Sequence, residues 1–146
     1  REREMPKMIF VNLPVADLDE AKAFYTALGF VNEPKFTDET AACMMMSDSI
    51  GIMLLTHDKF GQFTTKSIPD ARTTCQVLNC FSVDSRAEVD AVVEKAGTAG
   101  GRVDASPAQD YGVMYSRSVE DPDGHVWEVL WMDPAAAEQG ASAIGA

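Results

Sequence analysis

Histidine and cysteine, the side chains that most often build metal and nucleophilic centres, are scarce here: two and three in 146 residues. Three cysteines cannot all pair within one chain. Cys43 and Cys80 stand in apolar, strand-like runs, so they read as buried free thiols of a reducing cytoplasm. Cations are also few. Twelve Lys and Arg against 23 Asp and Glu leave a net charge of −11. That balance argues against nucleic acid or an anionic membrane as partner, because both are polyanions. No apolar run approaches the roughly 20 residues of a membrane span, and no signal-peptide pattern is present.

What is present is a hydrophobic fraction of 46%, enough for a globular core, and a repeat. Val15-Ala16-Asp17-Leu18-Asp19-Glu20-Ala21, followed by Phe24, Tyr25, Leu28 and Gly29, recurs 68 residues later. The second copy is Val83-Asp84-Ser85-Arg86-Ala87-Glu88-Val89, followed by Val92, Val93, Ala96 and Gly97. In each copy an Asp or Ser three residues before a Glu forms a helix-capping box. Apolar residues then recur at helical spacing, and a Gly is placed to end the helix. Two copies of one unit predict a pseudo-symmetric domain with a ligand site where the halves meet.

Around the helices, expected at 18–28 and 86–96, short apolar runs predict strands. In the first half these lie at 8–13, 30–36, 41–46 and 50–56, and in the second at 78–83, 102–105, 111–119 and 125–132. Asp121-Pro122-Asp123-Gly124 carries the chemistry of a type I turn. The order is βαβββ twice, an α+β fold whose curved sheets form a cup. One domain is expected over residues 6–133, as modules of about 6–57 and 78–133. The connection 58–77 is either a lid, with Phe60 and Phe63 on one face of a short helix, or a plain linker. Residues 1–5 read as a leader or tag remnant and 134–146 as a flexible tail.

Together the two βαβββ units, the Val-x-Asp-Leu helix entry with Phe-Tyr and Leu-Gly-Phe, and Asp-Pro-Asp-Gly-x-x-x-Glu resemble the vicinal oxygen chelate superfamily. This is the group of glyoxalase I, bleomycin- and fosfomycin-resistance proteins and extradiol dioxygenases, and small bacterial glyoxalase-like proteins look most similar. The resemblance implies a homodimer. It also implies that metal-dependent members take two ligands from each half, at positions occupied here by Phe10, Met53, Leu78 and Glu128. Three of these side chains offer no hard donor. A dication that needs several oxygen or nitrogen ligands is therefore not expected, and neither is any other cofactor.

By strand alternation, Phe10 and Asn12 share the cup face in the first half, and Leu78, Cys80 and Glu128 share it in the second. With Met53 and Tyr115 they form the expected ligand-binding set of a mainly apolar pocket. Glu128 is the candidate catalytic residue. It is either a general acid or base in an apolar cup or a relic paired with a cation such as Arg117. Three functions stay open: a metal-independent small-molecule-binding protein, a glyoxalase-like lyase or isomerase using Glu128 with or without a metal, and a filled domain acting through its surface. The first is favoured.

Overall fold

The computed structural model describes residues 6–145; the expected leader, 1–5, lies outside them. The chain divides into two compact units at residues 70 and 71. In the first unit β1 (Ile9–Val15) leads to α1 (Leu18–Ala27), followed by β2 (Val31–Glu33), a 3₁₀ turn (Pro34–Phe36), β3 (Ala41–Met45), β4 (Ile50–Thr56) and a short α2 (His57–Phe60). The sheet order is β1-β4-β3-β2, with β1 parallel to β4 and the other pairs antiparallel. A parallel pair needs a crossover, and here α1, β2 and β3 supply it.

Asp17 caps α1 by accepting the Glu20 amide at 3.0 Å. The helix buries Ala21, Phe24 and Tyr25 over the sheet face that carries Leu13, Val15, Ala42, Met44, Ile52 and Leu54, all buried. Tyr25 stacks edge-on against Phe24 and Phe30, at 5.0 and 5.4 Å. Each of these rings contributes about 1.5–3 kcal/mol through burial. Pro14 lies on the edge strand β1, where its missing N–H costs no central ladder bond.

The second unit contains β5 (Leu78–Ser82), α3 (Arg86–Thr98), β6 (Arg102–Val103), β7 (Gln109–Asp110), β8 (Met114–Glu120), β9 (Val126–Met132) and α4 (Pro134–Gln139). Its sheet order is β5-β9-β8-β6, with β5 parallel to β9 and β7 also pairing β8. Ser85 caps α3 by accepting the Glu88 amide at 3.1 Å. Val89, Val93 and Ala96 on α3 are buried, as are Val119, Trp127 and Val129 on the sheet.

Four expectations need correction. The helix does not end at Gly97 but runs to Thr98, and Gly100, at φ +99°, reverses the chain. Gly97 instead lies against Val103, whose side chain would be 2.9 Å from an added β-carbon. The single strand expected at 102–105 is shorter, and β7 follows it. The tail forms α4, because Asp133 caps it by accepting the Ala135 amide and Pro134 fits its first turn. In the connection, α2 ends at Phe60 and Phe63 lies beyond it, largely exposed.

The type I turn forms as expected, with the Gly124 amide donating to the Asp121 carbonyl at 3.0 Å. Asp121 is buried, and its carboxylate accepts the amides of Asp123 and His125, both at 2.9 Å. Gly124 has φ +99°, and a β-carbon there would lie 2.7 Å from the backbone of Ala71 and Arg72. The turn is thus the seat for the first residues of this unit, and the Arg72 side chain donates to the Pro122 carbonyl at 3.2 Å. Gly124→Ala combines left-handed strain with a backbone clash. It should destabilise the unit by about 2 kcal/mol or more, read as a lower urea midpoint by tryptophan fluorescence.

Candidate functional site

In each unit one sheet face is covered by the long helix, and the other carries the residues of interest. In the first unit Asn12 stands opposite Met53, and Phe10 opposite Gly51. Across β3, Cys43 pairs with Met53 and Met45 with Gly51. Phe10, Asn12 and Met53 therefore share a face. The Phe10 ring and the Met45 thioether crowd over Gly51, within 3.1 and 2.7 Å of where its β-carbon would stand. Cys43 is buried there, and burial, then the charge of Glu33, push its thiol above the ordinary value.

The second unit repeats the register with different chemistry. Leu78 stands opposite Val126, Cys80 opposite Glu128, and Ser118 opposite Glu128 from the other side. Leu78, Cys80 and Glu128 therefore share one face with Val126, Leu130 and Ser118. The offset between modules is 68 at the first strand (12 to 80) and 75 at the last (53 to 128). Met53 and Glu128 thus hold equivalent places, as do Phe10 and Leu78. Cys80 is exposed on edge strand β5 rather than buried as expected. Desolvation against the sheet and then the neighbouring Glu128 charge raise its thiol above the ordinary value, which disfavours the nucleophilic thiolate.

Tyr115 does not join this set. It alternates with Ser116 and Ser118, pairs with Trp131, and faces α3, where its hydroxyl donates to Asp90 at 2.7 Å. Arg117 lies on the same helix-facing side. It donates to Asp90 at 2.9 Å and to both Asp104 oxygens at 2.9 and 2.8 Å. It is therefore not the partner of Glu128. Arg86 packs over the Tyr115 ring at 4.5 Å and pairs with Asp110 at 2.6 Å. Trp127 is 4% exposed, because it lies on the helix-facing side and packs against Phe81 at 6.0 Å. This network escaped sequence reasoning, since Asp90, Asp104 and Asp110 resemble ordinary surface carboxylates.

The fold is an α+β pair of mixed sheets, each with a helix on one face and without a closed barrel. A sequence model of the glyoxalase/bleomycin resistance protein/dioxygenase superfamily matches residues 7–129, and the chain belongs to that superfamily. Among solved structures it is similar to the hypothetical protein SA1046 from S. aureus, with 26% identity and a TM-score of 0.72 over 88% of this chain and 95% of that one. A glyoxalase/bleomycin resistance protein/dioxygenase family enzyme from Burkholderia phytofirmans shares 22% identity, with a TM-score of 0.70 over 87% and 99%. A glyoxalase-related enzyme from Fulvimarina pelagi shares 20%, with a TM-score of 0.72 over 87% and 88%. No curated protein matches.

Of the four positions at which the resemblance implies metal ligands, Phe10, Met53, Leu78 and Glu128, only Glu128 carries an oxygen donor, and a Met thioether is soft. Among the described residues no three His, Cys, Asp or Glu side chains cluster as a metal set.

The carboxylates around Arg86 and Arg117 make a pH prediction. Hydrogen bonds from Arg86, then from the Gly112 amide, hold Asp110 down to about 2. Asp90 is lowered chiefly by Tyr115 and then by Arg117, and Asp104 chiefly by Arg117. A carboxylate lowered by folding stabilises above its unfolded value, about 3.9 for Asp. That stabilisation is lost as pH falls through the folded value. The urea midpoint should therefore fall between about pH 4 and pH 2, and fall less in Asp110→Asn, as read by circular dichroism.

Proposed function

We propose that this chain binds a small molecule on the Glu128 face of its second unit, without a divalent metal. One observation carries the reading: among the described residues, the Glu128 carboxylate makes no hydrogen bond and no ion pair, while its backbone keeps its place in the ladder. It lies half-buried between Cys80 and Ser118, on a face otherwise supplied by Leu78, Val126 and Leu130. A carboxylate on an apolar surface calls for a donor or a positive charge. The apolar side chains would hold the body of the ligand and Glu128 would fix its polar end. Phe10, Asn12 and Met53 give the first unit an apolar and amide surface suited to contacting a ligand without charge.

The test uses thioflavin T, an apolar cation, and anilinonaphthalene sulfonate, an apolar anion. Thioflavin T should bind the wild type and weaken about tenfold in Glu128→Gln, the size of one charge-assisted contact, while the anion should gain. Equal affinities in the two proteins would overturn the reading. Ni, Zn, Mn, Fe or Co should be present well below one equivalent and should not raise the melting temperature. A tight one-to-one metal that is lost in Glu128→Gln would move the function to a metal-dependent lyase.

The same reading includes a homodimer in the cytoplasm. Ile9, 58% exposed on edge strand β1 of the first unit, is apolar surface outside the ligand-binding set, of the kind found at association sites. The free thiols suit a reducing compartment, and among the described residues no helix is long and apolar enough to cross a membrane. Sedimentation velocity at micromolar concentration should give a species of twice the chain mass; a monomer would remove this part.

A further inference from the structure

The outer strand of the second sheet is interrupted. β6 pairs with β8 at Glu120 and Val119, β7 pairs with it at Ser116 and Tyr115, and residues 104–108 leave the ladder between them. This detour is held from both faces of the sheet by two consecutive residues of β8. On the helix side, Arg117 donates two hydrogen bonds to the Asp104 carboxylate and a third to Asp90 of α3. On the other side, the Ser118 hydroxyl accepts the Ser106 amide at 2.9 Å and donates to the Ser106 carbonyl at 3.3 Å. Ser118 is the ladder partner of Glu128, and side chains directly opposite one another have β-carbons roughly 5 Å apart.

Asp104 is where the detour begins, and its φ of +51° is the only positive value at a non-glycine among the described residues. Such a conformation is strained for a residue that carries a β-carbon. It is kept because the Asp104 amide donates to the Ser118 carbonyl at 2.7 Å while Arg117 grips the carboxylate. A plain continuous strand would need neither the strain nor the clamp. The detour folds backbone onto Ser118, leaving that residue buried at the margin of the Glu128 face.

We propose that residues 104–108 are a wall that sets which ligand shapes the Glu128 face admits, with Arg117, Asp104 and Ser118 as its positioning residues. This rests on the ligand-binding reading above. The wall crowds the β8 side of Glu128 while the β5 side, with exposed Leu78 and Cys80, stays open. A thin, planar cation therefore fits better than a bulky propeller-shaped one.

The test compares thioflavin T with crystal violet, a triarylmethane cation, on the whole chain, together with hydrogen exchange at the Ser106 amide. In wild type, thioflavin T should bind more tightly. Ser118→Ala should speed Ser106 exchange at least tenfold and cut the preference for thioflavin T at least threefold. Arg117→Lys, which keeps the charge but loses the two-pronged grip, should do the same through the other face and serves if Ser118→Ala does not fold. Ser118→Thr, which keeps the hydroxyl, should restore both. Faster exchange with an unchanged preference, while Glu128→Gln still weakens thioflavin T, would overturn the wall and leave the binding site standing. A preference indifferent to the wall variants, with thioflavin T affinity unchanged in Glu128→Gln, would overturn the two together.

Discussion

In both units the first strand lies parallel to the last, and that pairing decides which side chains meet. A parallel neighbour cannot be reached by a hairpin, so a helix and two strands in the first unit, or three in the second, are spent on the crossover, and the helix covers one face. The register then follows with little freedom. A slip of one residue would send Leu13, Val15, Ile52 and Leu54 out of the core. The same ladder places Asn12 beside Met53 and Cys80 beside Glu128. The packing that holds each unit together and the side chains offered on its other face are thus one decision.

The two units use equivalent positions differently. Where the first has Met53 facing buried Cys43, the second has Glu128 facing Ser118. One arrangement is soft and apolar throughout; the other leaves a carboxylate among aliphatic side chains. Cys80, beside that carboxylate, is pushed toward its neutral thiol. Arg86 and Arg117 are committed on the opposite sheet face to Asp90, Asp104 and Asp110.

Much of this was legible from residue order. Asp17 and Ser85 begin their helices because a short polar side chain can satisfy an open amide, a strictly local rule. Ile50–Thr56 was read to the residue, since its apolar run is closed by a polar turn before it and by the His57 helix after it. The turn at Gly124 is local in the same way. What escaped depends on distant partners. Along β8, Tyr115, Arg117, Ser116 and Ser118 are polar on both faces, so alternation carries no sign of which side is inward. The choice is made by Asp90, on a helix 25 residues earlier. Gly97 was misread for a related reason: it serves contact with Val103 rather than chain reversal, and glycine looks the same in either role. Cys80 is as apolar as its neighbours, but it stands on an edge strand, which composition does not reveal.

The broken outer strand has a further consequence for the life of the chain in a crowded solution. An uninterrupted edge offers a row of free amides and carbonyls onto which another polypeptide can add, the first step of sheet-based aggregation. Here the lateral margin of β8 is occupied by two short pieces, β6 and β7, each of two residues, with a left-handed kink between them. No straight template of more than two residues is presented beyond it, and the carboxylates of Asp104 and Asp110 add charge along the same border. A feature that shapes one face of the sheet therefore also keeps its rim from recruiting its own kind.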